Sequence, residues 1–267
     1  MFVGSLLFII FSNTNIEHYF INQNVDQLRC EVFLGILTVQ AHTSLRKFIR
    51  NSWIKDLPRN VCYKFLYDIP EYIPNLEKFD GLSIDATYEG KGLRFGEKLY
   101  KFYSHVINSS SLRNVKYVVK MDDDVVLCPK QLFSYLSKKI NLKSYVGWFH
   151  NMNTWKSKVD YDHRSDEMFV LLGRDLIDRI VSQPYCKHET KEQCDSLGQL
   201  YDTNFGGTSL ATWLSTMNDV DAIPMNARFQ HTYSKKGLKA EHRLLFHPSK
   251  SPEKGHRIYS SCKKIRL

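Results

Sequence analysis

The feature that most constrains this chain is a strongly apolar segment that runs directly into three aspartates. Residues 115–121 read Val-Lys-Tyr-Val-Val-Lys-Met, and Asp122, Asp123 and Asp124 follow before a second apolar run. Three adjacent carboxylates repel one another and destabilise a fold unless a cation or strong hydrogen-bond donors lie nearby. The segment therefore predicts a buried strand that delivers charged side chains to the edge of a sheet.

Other apolar runs alternate with helical patterns, which sets the fold class. Strands are predicted at 31–39, 64–68, 82–85, 115–121, 145–149 and 168–172, and helices at about 43–53, 95–107, 175–181 and 208–215. Such alternation with short links predicts an α/β fold with a mostly parallel, Rossmann-like central sheet. Ligands bind at the carboxyl ends of the strands in these sheets, where the acidic triplet is expected.

The chain divides into three parts by composition. Residues 1–11 are largely apolar but too few to span a bilayer, which takes about 20 residues, so a truncated signal-anchor, a signal peptide and a buried strand stay open. Residues 12–29 are polar and read as a stem or linker. Residues 30–267 contain no repeat or break, which predicts one domain.

Charge and cysteine content narrow the class of partner and the compartment. The net charge of +9 attracts phosphorylated molecules, nucleic acid or anionic lipid, but no run of five basic residues occurs, so nucleic acid is not expected. Six cysteines without a C-x-x-C pair fit disulfides or free thiols, and Cys186 and Cys194 are the pair most readily bridged. Asn108 begins an N-x-[S/T] sequon and is a glycosylation candidate.

The acidic triplet has the chemistry of a metal site. Asp122 and Asp124 point to the same side of an extended chain and can bind Mn²⁺ or Mg²⁺, which then neutralises a departing diphosphate. A solvated turn, or a helix capped by Asp124, is the structural alternative. Phosphate-binding glycine loops, a G-x-S-x-G elbow and an H-E-x-x-H helix are absent from the sequence.

Several blocks together resemble the β-1,3-galactosyltransferase-like family of Golgi enzymes, which includes β-1,3-N-acetylglucosaminyltransferases and Fringe. The blocks are RKFIRNSW at 46–53, RFGEK at 94–98, YVVKMDDDVV at 117–126, a segment of matching length at 161–176, and YDTNFG at 201–206. The fourth block departs from the family pattern, because Asp162-His163 and Glu167-Met168-Phe169 replace its prolines and its Gly-x-Gly. The chain is thus expected to be a divergent member.

The resemblance implies an activity and a location. It implies a GT-A type glycosyltransferase that moves galactose or an N-acetylhexosamine from a UDP-sugar to a glycan on a glycoprotein or glycolipid, with inversion and a β-1,3 link. Mn²⁺ (or Mg²⁺) is the implied cofactor. The implied location is the Golgi membrane, with anchoring by the N-terminus and a lumenal catalytic domain.

The resemblance also implies roles for particular residues. Asp202 is the expected catalytic base, with a helix cap as the alternative role. His247 is the expected third metal ligand beside Asp122 and Asp124, with His231 and His242 in reserve and a purely structural role as the alternative. The residues expected to bind the nucleotide-sugar are Arg46, Arg50, Asp123, Lys98 and Lys250. Arg50 fits a solvated helix position equally well, and Trp53 is expected in the core.

Two other classes of protein use similar sequence features. An inactive GT-A domain that binds a glycan or a partner would explain the altered fourth block. A phosphotransferase or nucleotidyltransferase would use the same metal chemistry on an α/β fold.

Overall fold

The computed structural model describes residues 30–68, 73–84, 88–89, 92–93, 95–150, 164–186, 190–201, 206–231, 243–247 and 251–263. The predicted apolar segment 1–11 and the predicted stem 12–29 lie outside these residues. No helix in the described ranges is long and apolar enough to cross a membrane.

A seven-stranded sheet forms the centre of the protein. Its strands are β1 (Val32–Leu37), β2 (Val61–Tyr67), β3 (Gly81–Ser83), β6 (Tyr117–Asp122), β8 (Ser144–Phe149), β9 (Ser165–Gly173) and β10 (Asp221–Pro224), in the spatial order β10-β8-β9-β6-β1-β2-β3. The pairs β1–β2, β1–β6, β2–β3 and β10–β8 are parallel, and β9 runs antiparallel to both of its neighbours. The prediction of an α/β fold with a mostly parallel sheet is confirmed.

Seven helices accompany the sheet within the described residues. They are α1 (Thr43–Asn51), α2 (Phe95–Asn108), α3 (Pro129–Leu136), α4 (Arg174–Val181), α5 (Lys191–Ser196), α6 (Gly206–Ser215) and α7 (Pro252–Cys262). Four of the ten predicted segments were helices, and α1, α2, α4 and α6 occupy those positions within a few residues. Helix α1 ends two residues before the predicted position 53, and Trp53 is fully buried in the core, as expected.

The two faces of the sheet carry separate apolar cores because side chains alternate along each strand. Leu34 and Ile36 of β1 face the core that contains α1, α3 and α7, whereas Phe33 faces the core that contains α2, α4 and α6. Helices therefore cover both faces, which explains the continuous apolar runs of the central strands.

A small second sheet returns the C-terminal part of the chain to the acidic turn. Its strands are β7 (Val126–Leu127), β11 (Phe229–His231) and β12 (Leu245–His247), in the order β11-β12-β7. Two short strands, β4 (Tyr88–Glu89) and β5 (Gly92–Leu93), form a separate antiparallel pair. The small sheet matters for function because β7 begins four residues after the last residue of β6.

Disulfide bonds join all six cysteines in the structure. Cys30 pairs with Cys62, Cys128 pairs with Cys262, and Cys186 pairs with Cys194. The second bond fixes the end of α7 beside β7, where Gln131 also donates to the carbonyl of Cys262 at 3.1 Å. No free thiol remains, so the alternative of six free cysteines does not hold for this fold.

Candidate functional site

The candidate site lies at the carboxyl ends of the parallel strands. Asp122 is the last residue of β6, Thr38 follows β1, and Asp68 follows β2. Since β1 pairs in parallel with both β2 and β6, these three positions lie along one edge of the sheet. This is the edge at which α/β sheets bind their ligands.

Two aspartates of the triplet meet a histidine there. Asp122, Asp124 and His247 each offer one ligand atom, and these atoms all lie within 4.8 Å of one another. Asp124 Oδ1 lies 3.2 Å from His247 Nε2. No other group of three histidine, cysteine, aspartate or glutamate side chains in the described ranges meets in this way. These three residues are called the Asp-Asp-His cluster below.

Strand pairing explains why His247 reaches the acidic turn. β12 runs antiparallel to β7, with Leu245 opposite Leu127 and Phe246 opposite Val126. Continuing that register by one position brings His247 alongside the turn that contains Asp124. His231, a reserve ligand from the sequence, pairs with His247 in the register of β11 and β12, while His242 lies outside the described residues.

The cluster fits a divalent cation. In an octahedral site with ligands at about 2.1 Å, neighbouring ligand atoms lie about 3 Å apart, so the spacing of Asp124 and His247 suits two adjacent positions. Carboxylate oxygens suit Mg²⁺ and Mn²⁺, and the imidazole nitrogen favours a transition-metal ion such as Mn²⁺. All three side chains are partly exposed, which leaves room for substrate atoms as further ligands.

Asp123 points away from the cluster, into the protein. Its Oδ2 accepts a 2.6 Å hydrogen bond from Thr38 Oγ1 and lies 2.9 Å from His42 Nδ1. Burial raises the pKa of Asp123 above its ordinary value, although the bonds to Thr38 and His42 favour the charged form. The predicted contact of Asp123 with the nucleotide-sugar stays a prediction.

Arg46 also lies inside the protein. It is fully buried, and its Nε donates to Glu77 Oε2 at 2.6 Å. Its Nη1 donates to Thr38 Oγ1 at 3.1 Å and to the Val39 carbonyl at 2.6 Å. Arg46 therefore holds the loop after β1 in place, and its predicted contact with the nucleotide stays a prediction.

Arg50 is engaged in a similar way, one helical turn further along α1. Its Nε and Nη2 donate to the two oxygens of Asp80 at 2.7 and 2.8 Å, a bidentate pair that fixes the guanidinium group. Nη2 also lies 3.2 Å from Glu77. The ion pair with buried Asp80 does not fit the alternative of a solvated helix position, while the predicted nucleotide contact stays a prediction.

Two buried lysines lie behind the cluster. Lys98 pairs with Asp68, and burial lowers the pKa of Lys98. Lys120 donates to Asp122 Oδ1 at 2.9 Å and also to the backbone carbonyl of Glu167. Lys98, a predicted nucleotide-sugar ligand, thus has a carboxylate partner within the fold, while Lys120 orients a residue of the cluster.

A polar cleft of about 390 Å³ lies on the other side of Lys120. It is lined by His150, Arg164, Ser165, Asp166, Glu167, Gly207 and Thr208. Asp166 and Glu167 belong to the block that departs from the family pattern, whereas the next residues, Met168 and Phe169, are buried in the core. The residues that depart from the family pattern therefore place two carboxylates in this cleft. Lys120 connects the cleft to the cluster, because its ammonium group contacts both Asp122 and the backbone carbonyl of Glu167.

The two remaining predicted ligands, Asp202 and Lys250, lie outside the described residues. Two described residues nearby in sequence, Tyr201 and Gly207, are hydrogen-bonded. The Tyr201 carbonyl accepts a 2.7 Å hydrogen bond from Trp213 Nε1, and Gly207 N donates to Glu167 Oε1 at 3.0 Å.

The predicted modification sites are away from the cluster. Asn108 is exposed at the end of α2. Cys186 and Cys194 are joined by a disulfide bond, and Cys194 lies within α5. Neither site takes part in the edge that holds the Asp-Asp-His cluster.

Sequence reasoning missed Thr38, His42 and Lys120. Thr38 and His42 follow the apolar run of β1 just as the triplet follows the run of β6. Because parallel strands end at the same edge, polar residues after β1 could have been paired with the triplet on that ground alone. Lys120 gave a weaker signal, since it is a charged residue within an apolar strand.

Comparison with known proteins gives little. No protein-family model and no curated protein matches the chain. A matching solved structure is that of a glycosyltransferase involved in the glycosylation of the major capsid of PBCV-1, with 9% identity and a TM-score of 0.45. The match covers 86% of this chain and 99% of that chain. A likeness at this level supports no conclusion about this protein.

Proposed function

We propose that the protein is a metal-dependent inverting glycosyltransferase of the GT-A type. The observation that carries this proposal is the Asp-Asp-His cluster at the carboxyl edge of a mostly parallel sheet. The donor is a UDP-sugar that carries galactose or an N-acetylhexosamine, and the acceptor is a glycan on a glycoprotein or glycolipid, linked β-1,3. These finer assignments rest on the sequence blocks that resemble the β-1,3-galactosyltransferase-like family.

The residues divide the chemistry between them. Asp122, Asp124 and His247 would hold Mn²⁺ or Mg²⁺, and a bound cation would supply positive charge for the diphosphate leaving group. Lys120 orients Asp122, and the pairing of β12 with β7 orients His247. Fixing these ligands before substrate binds lowers the cost of reorganisation during the reaction.

Asp202 is the proposed base. It would accept the proton of the acceptor hydroxyl while that oxygen forms a bond to the anomeric carbon. The bond from the anomeric carbon to the phosphate oxygen of UDP breaks on the opposite face, which inverts the configuration. The polar cleft that ends at Gly207 is suited to a sugar acceptor because carboxylates, a guanidinium group and hydroxyls line it.

The proposed location is the lumen of the Golgi, with membrane anchoring by the N-terminal segment. Three disulfides support an oxidising compartment, because such bonds are rare in the cytosol. The exposed sequon at Asn108 is compatible with glycosylation in that compartment.

Transfer assays with a panel of UDP-sugars and glycan acceptors test the proposal. We expect Mn²⁺-dependent transfer by the wild type, with no transfer by Asp124→Ala. Asp202→Asn should bind UDP normally but lose turnover. Full activity of Asp124→Ala would contradict the metal site, and equal loss of binding and turnover in Asp202→Asn would point to a structural role.

The same proteins separate the rival functions. An inactive GT-A domain would bind UDP and Mn²⁺ without transfer or hydrolysis of any UDP-sugar. A phosphotransferase would be stabilised thermally by ATP, whereas a glycosyltransferase should be stabilised by UDP with Mn²⁺.

A further inference from the structure

Asp123 is the residue of the triplet that the metal cluster leaves unexplained. The residue as a whole is only 5% exposed. Oδ2 is bonded to Thr38 at 2.6 Å and to His42 Nδ1 at 2.9 Å, and Oδ1 lies 3.1 Å from the same nitrogen. Its backbone N–H donates to the carbonyl of Leu37, the last residue of β1. The carboxylate is thus directed at the loop after β1, not at the cluster.

Thr38 fixes this carboxylate from the protein interior. Its hydroxyl accepts from Arg46 Nη1 at 3.1 Å while it donates to Asp123. Arg46 is fully buried and is itself anchored on Glu77. A buried chain of four side chains therefore ends at the Nδ1 atom of His42.

His42 is the exposed end of that chain. Its side chain is 46% exposed, whereas Asp123 beneath it is 6% exposed by the same measure. Nδ1 faces Asp123, and no partner for Nε2 is found among the residues that the structure describes. An ion pair at the protein surface contributes only about 0–1 kcal/mol to stability. The buried hydrogen-bonded chain beneath His42 is therefore more extensive than the stability of the His42–Asp123 pair requires. Carboxylates orient histidine rings in this way when the second nitrogen has a ligand to bind.

We propose that His42 contacts the nucleoside diphosphate portion of the donor through Nε2, and that Asp123 is a positioning residue that holds the ring. This inference rests on the proposed function. His42 follows β1, the immediate neighbour of β6, so its ring lies at the sheet edge that carries the Asp-Asp-His cluster. The middle aspartate thus serves the donor indirectly, through the histidine.

Two isosteric substitutions separate the two nitrogens of the ring. His42→Gln places an amide near the position of Nε2, whereas His42→Asn places one near Nδ1 and keeps only the bond to Asp123. We expect His42→Asn and His42→Ala to weaken UDP binding about tenfold, and His42→Gln to weaken it less than threefold. Calorimetric titration of UDP into the whole chain with Mn²⁺ measures these affinities.

Asp123 is tested through its coupling to His42. Asp123→Asn should weaken UDP binding in the wild-type background but add little in the His42→Ala background, because its effect passes through the ring. Mn²⁺ binding without nucleotide, followed by electron paramagnetic resonance, should stay within twofold in the His42 variants. His105→Ala, an exposed histidine on α2, is the matched control and should behave as wild type.

The outcomes distinguish this inference from the function on which it rests. Failure of the wild type to bind UDP would overturn both. If the wild type binds UDP and His42→Ala binds it equally well, only the role of His42 is overturned. The same holds if His42→Asn retains full affinity while His42→Gln loses it, or if Mn²⁺ binding falls in parallel with UDP binding in His42→Ala.

Discussion

At the scale of single residues, the three neighbouring aspartates have two different roles. Asp122 ends β6 and the other two aspartates lie in the turn that follows. In this arrangement Asp122 and Asp124 meet His247, while Asp123 contacts Thr38 and His42. The outward pair concentrates negative charge where a cation can relieve it. Asp123 is buried and hydrogen-bonded, and its carboxylate points away from the other two. The repulsion within the triplet is therefore reduced by the separation of the charges as well as by neighbouring positive charge.

His247→Ala should therefore impair metal binding without unfolding the protein. The side chain is 22% exposed, so its loss removes one ligand together with some packing, including a contact with the Phe229 ring. We expect Mn²⁺ affinity to fall about 10- to 100-fold, and the melting temperature without metal to change by no more than a few degrees. Metal titration by electron paramagnetic resonance checks this, with His105→Ala as the control. Unchanged affinity would remove His247 from the ligand set.

Lys98 and Asp68 form a buried ion pair whose disruption should be costly. Both side chains are about 95% buried, so Lys98→Met leaves the Asp68 carboxylate in the interior without this cation. We expect a loss of about 3–5 kcal/mol in the free energy of unfolding, measured by chemical denaturation. The double variant Lys98→Met/Asp68→Asn should recover much of that loss.

The exposed pair of Lys116 with Glu31 provides a comparison at 2.6 Å. Lys116→Met should cost far less stability than Lys98→Met, because surface pairs are well solvated. Equal losses in Lys98→Met and Lys116→Met would show that burial does not determine the strength of the Lys98 pair.

At the scale of elements, the length of an apolar run decided what the sequence could predict. β1, β6 and β8 have six residues each and α2 has fourteen, so each shows a full period of its pattern. β7 has two residues and β12 has three, which is too short for any period. The Asp-Asp-His cluster depends on that pair of strands. The sequence therefore indicated His247 only through resemblance to a family, and not through its own pattern.

The roles of the arginines were unpredictable for a related reason. Arg46 and Arg50 lie at helical spacing on α1, but their carboxylate partners Glu77 and Asp80 come from the segment that leads into β3. A pattern along one helix gives no information on which charges the next strand places against it. Burial of a charged side chain is decided by such distant partners.

The Cys128–Cys262 bond should stabilise the elements around the cluster. It joins β7 to α7 across a sequence separation of 134 residues, whereas Cys186–Cys194 spans 8. Loop-closure entropy predicts a contribution of about 5 kcal/mol for the long loop and about 2.5 kcal/mol for the short one. We expect Cys128→Ser/Cys262→Ser to lower the midpoint of denaturation more than Cys186→Ser/Cys194→Ser does.

Metal binding adds a second measurement to this comparison. Loss of the Cys128–Cys262 bond should also weaken Mn²⁺ binding, because β7 pairs with β12, the strand that ends at His247. Loss of the Cys186–Cys194 bond should leave Mn²⁺ binding unchanged. Equal effects on metal affinity in the two double variants would mean that α7 does not help to position the cluster.

At the scale of the whole molecule, a net charge of +9 surrounds one acidic edge. The excess of cations favours anionic substrates such as a nucleotide-sugar, but it also repels itself within the folded state. Carboxylates that lie between cations therefore matter to the charge balance of the fold. Asp219 is such a carboxylate, because it contacts Lys143, which precedes β8, and Arg179 of α4.

Asp219 should make stability depend on pH and salt. Arg179 contacts its two oxygens at 2.6 and 3.1 Å, and Lys143 lies 2.7 Å away. Hydrogen bonds from Arg179 and then Lys143 hold the pKa of Asp219 well below its ordinary value. A carboxyl whose pKa is lowered by folding contributes stability above its unfolded pKa of about 4, and loses it as the pH falls further.

Asp219→Asn should thus be less stable than wild type at pH 7, with a difference that shrinks at pH 3 and in high salt. The side chain is exposed at the surface, so screening by salt should reduce the difference even at neutral pH. Denaturation curves at the two pH values and two salt concentrations measure it. Asp178→Asn, which loses a single contact with Arg174 at 3.1 Å, is the control. A difference that grows as the pH falls would reverse the sign of the argument and exclude Asp219 as a stabilising charge.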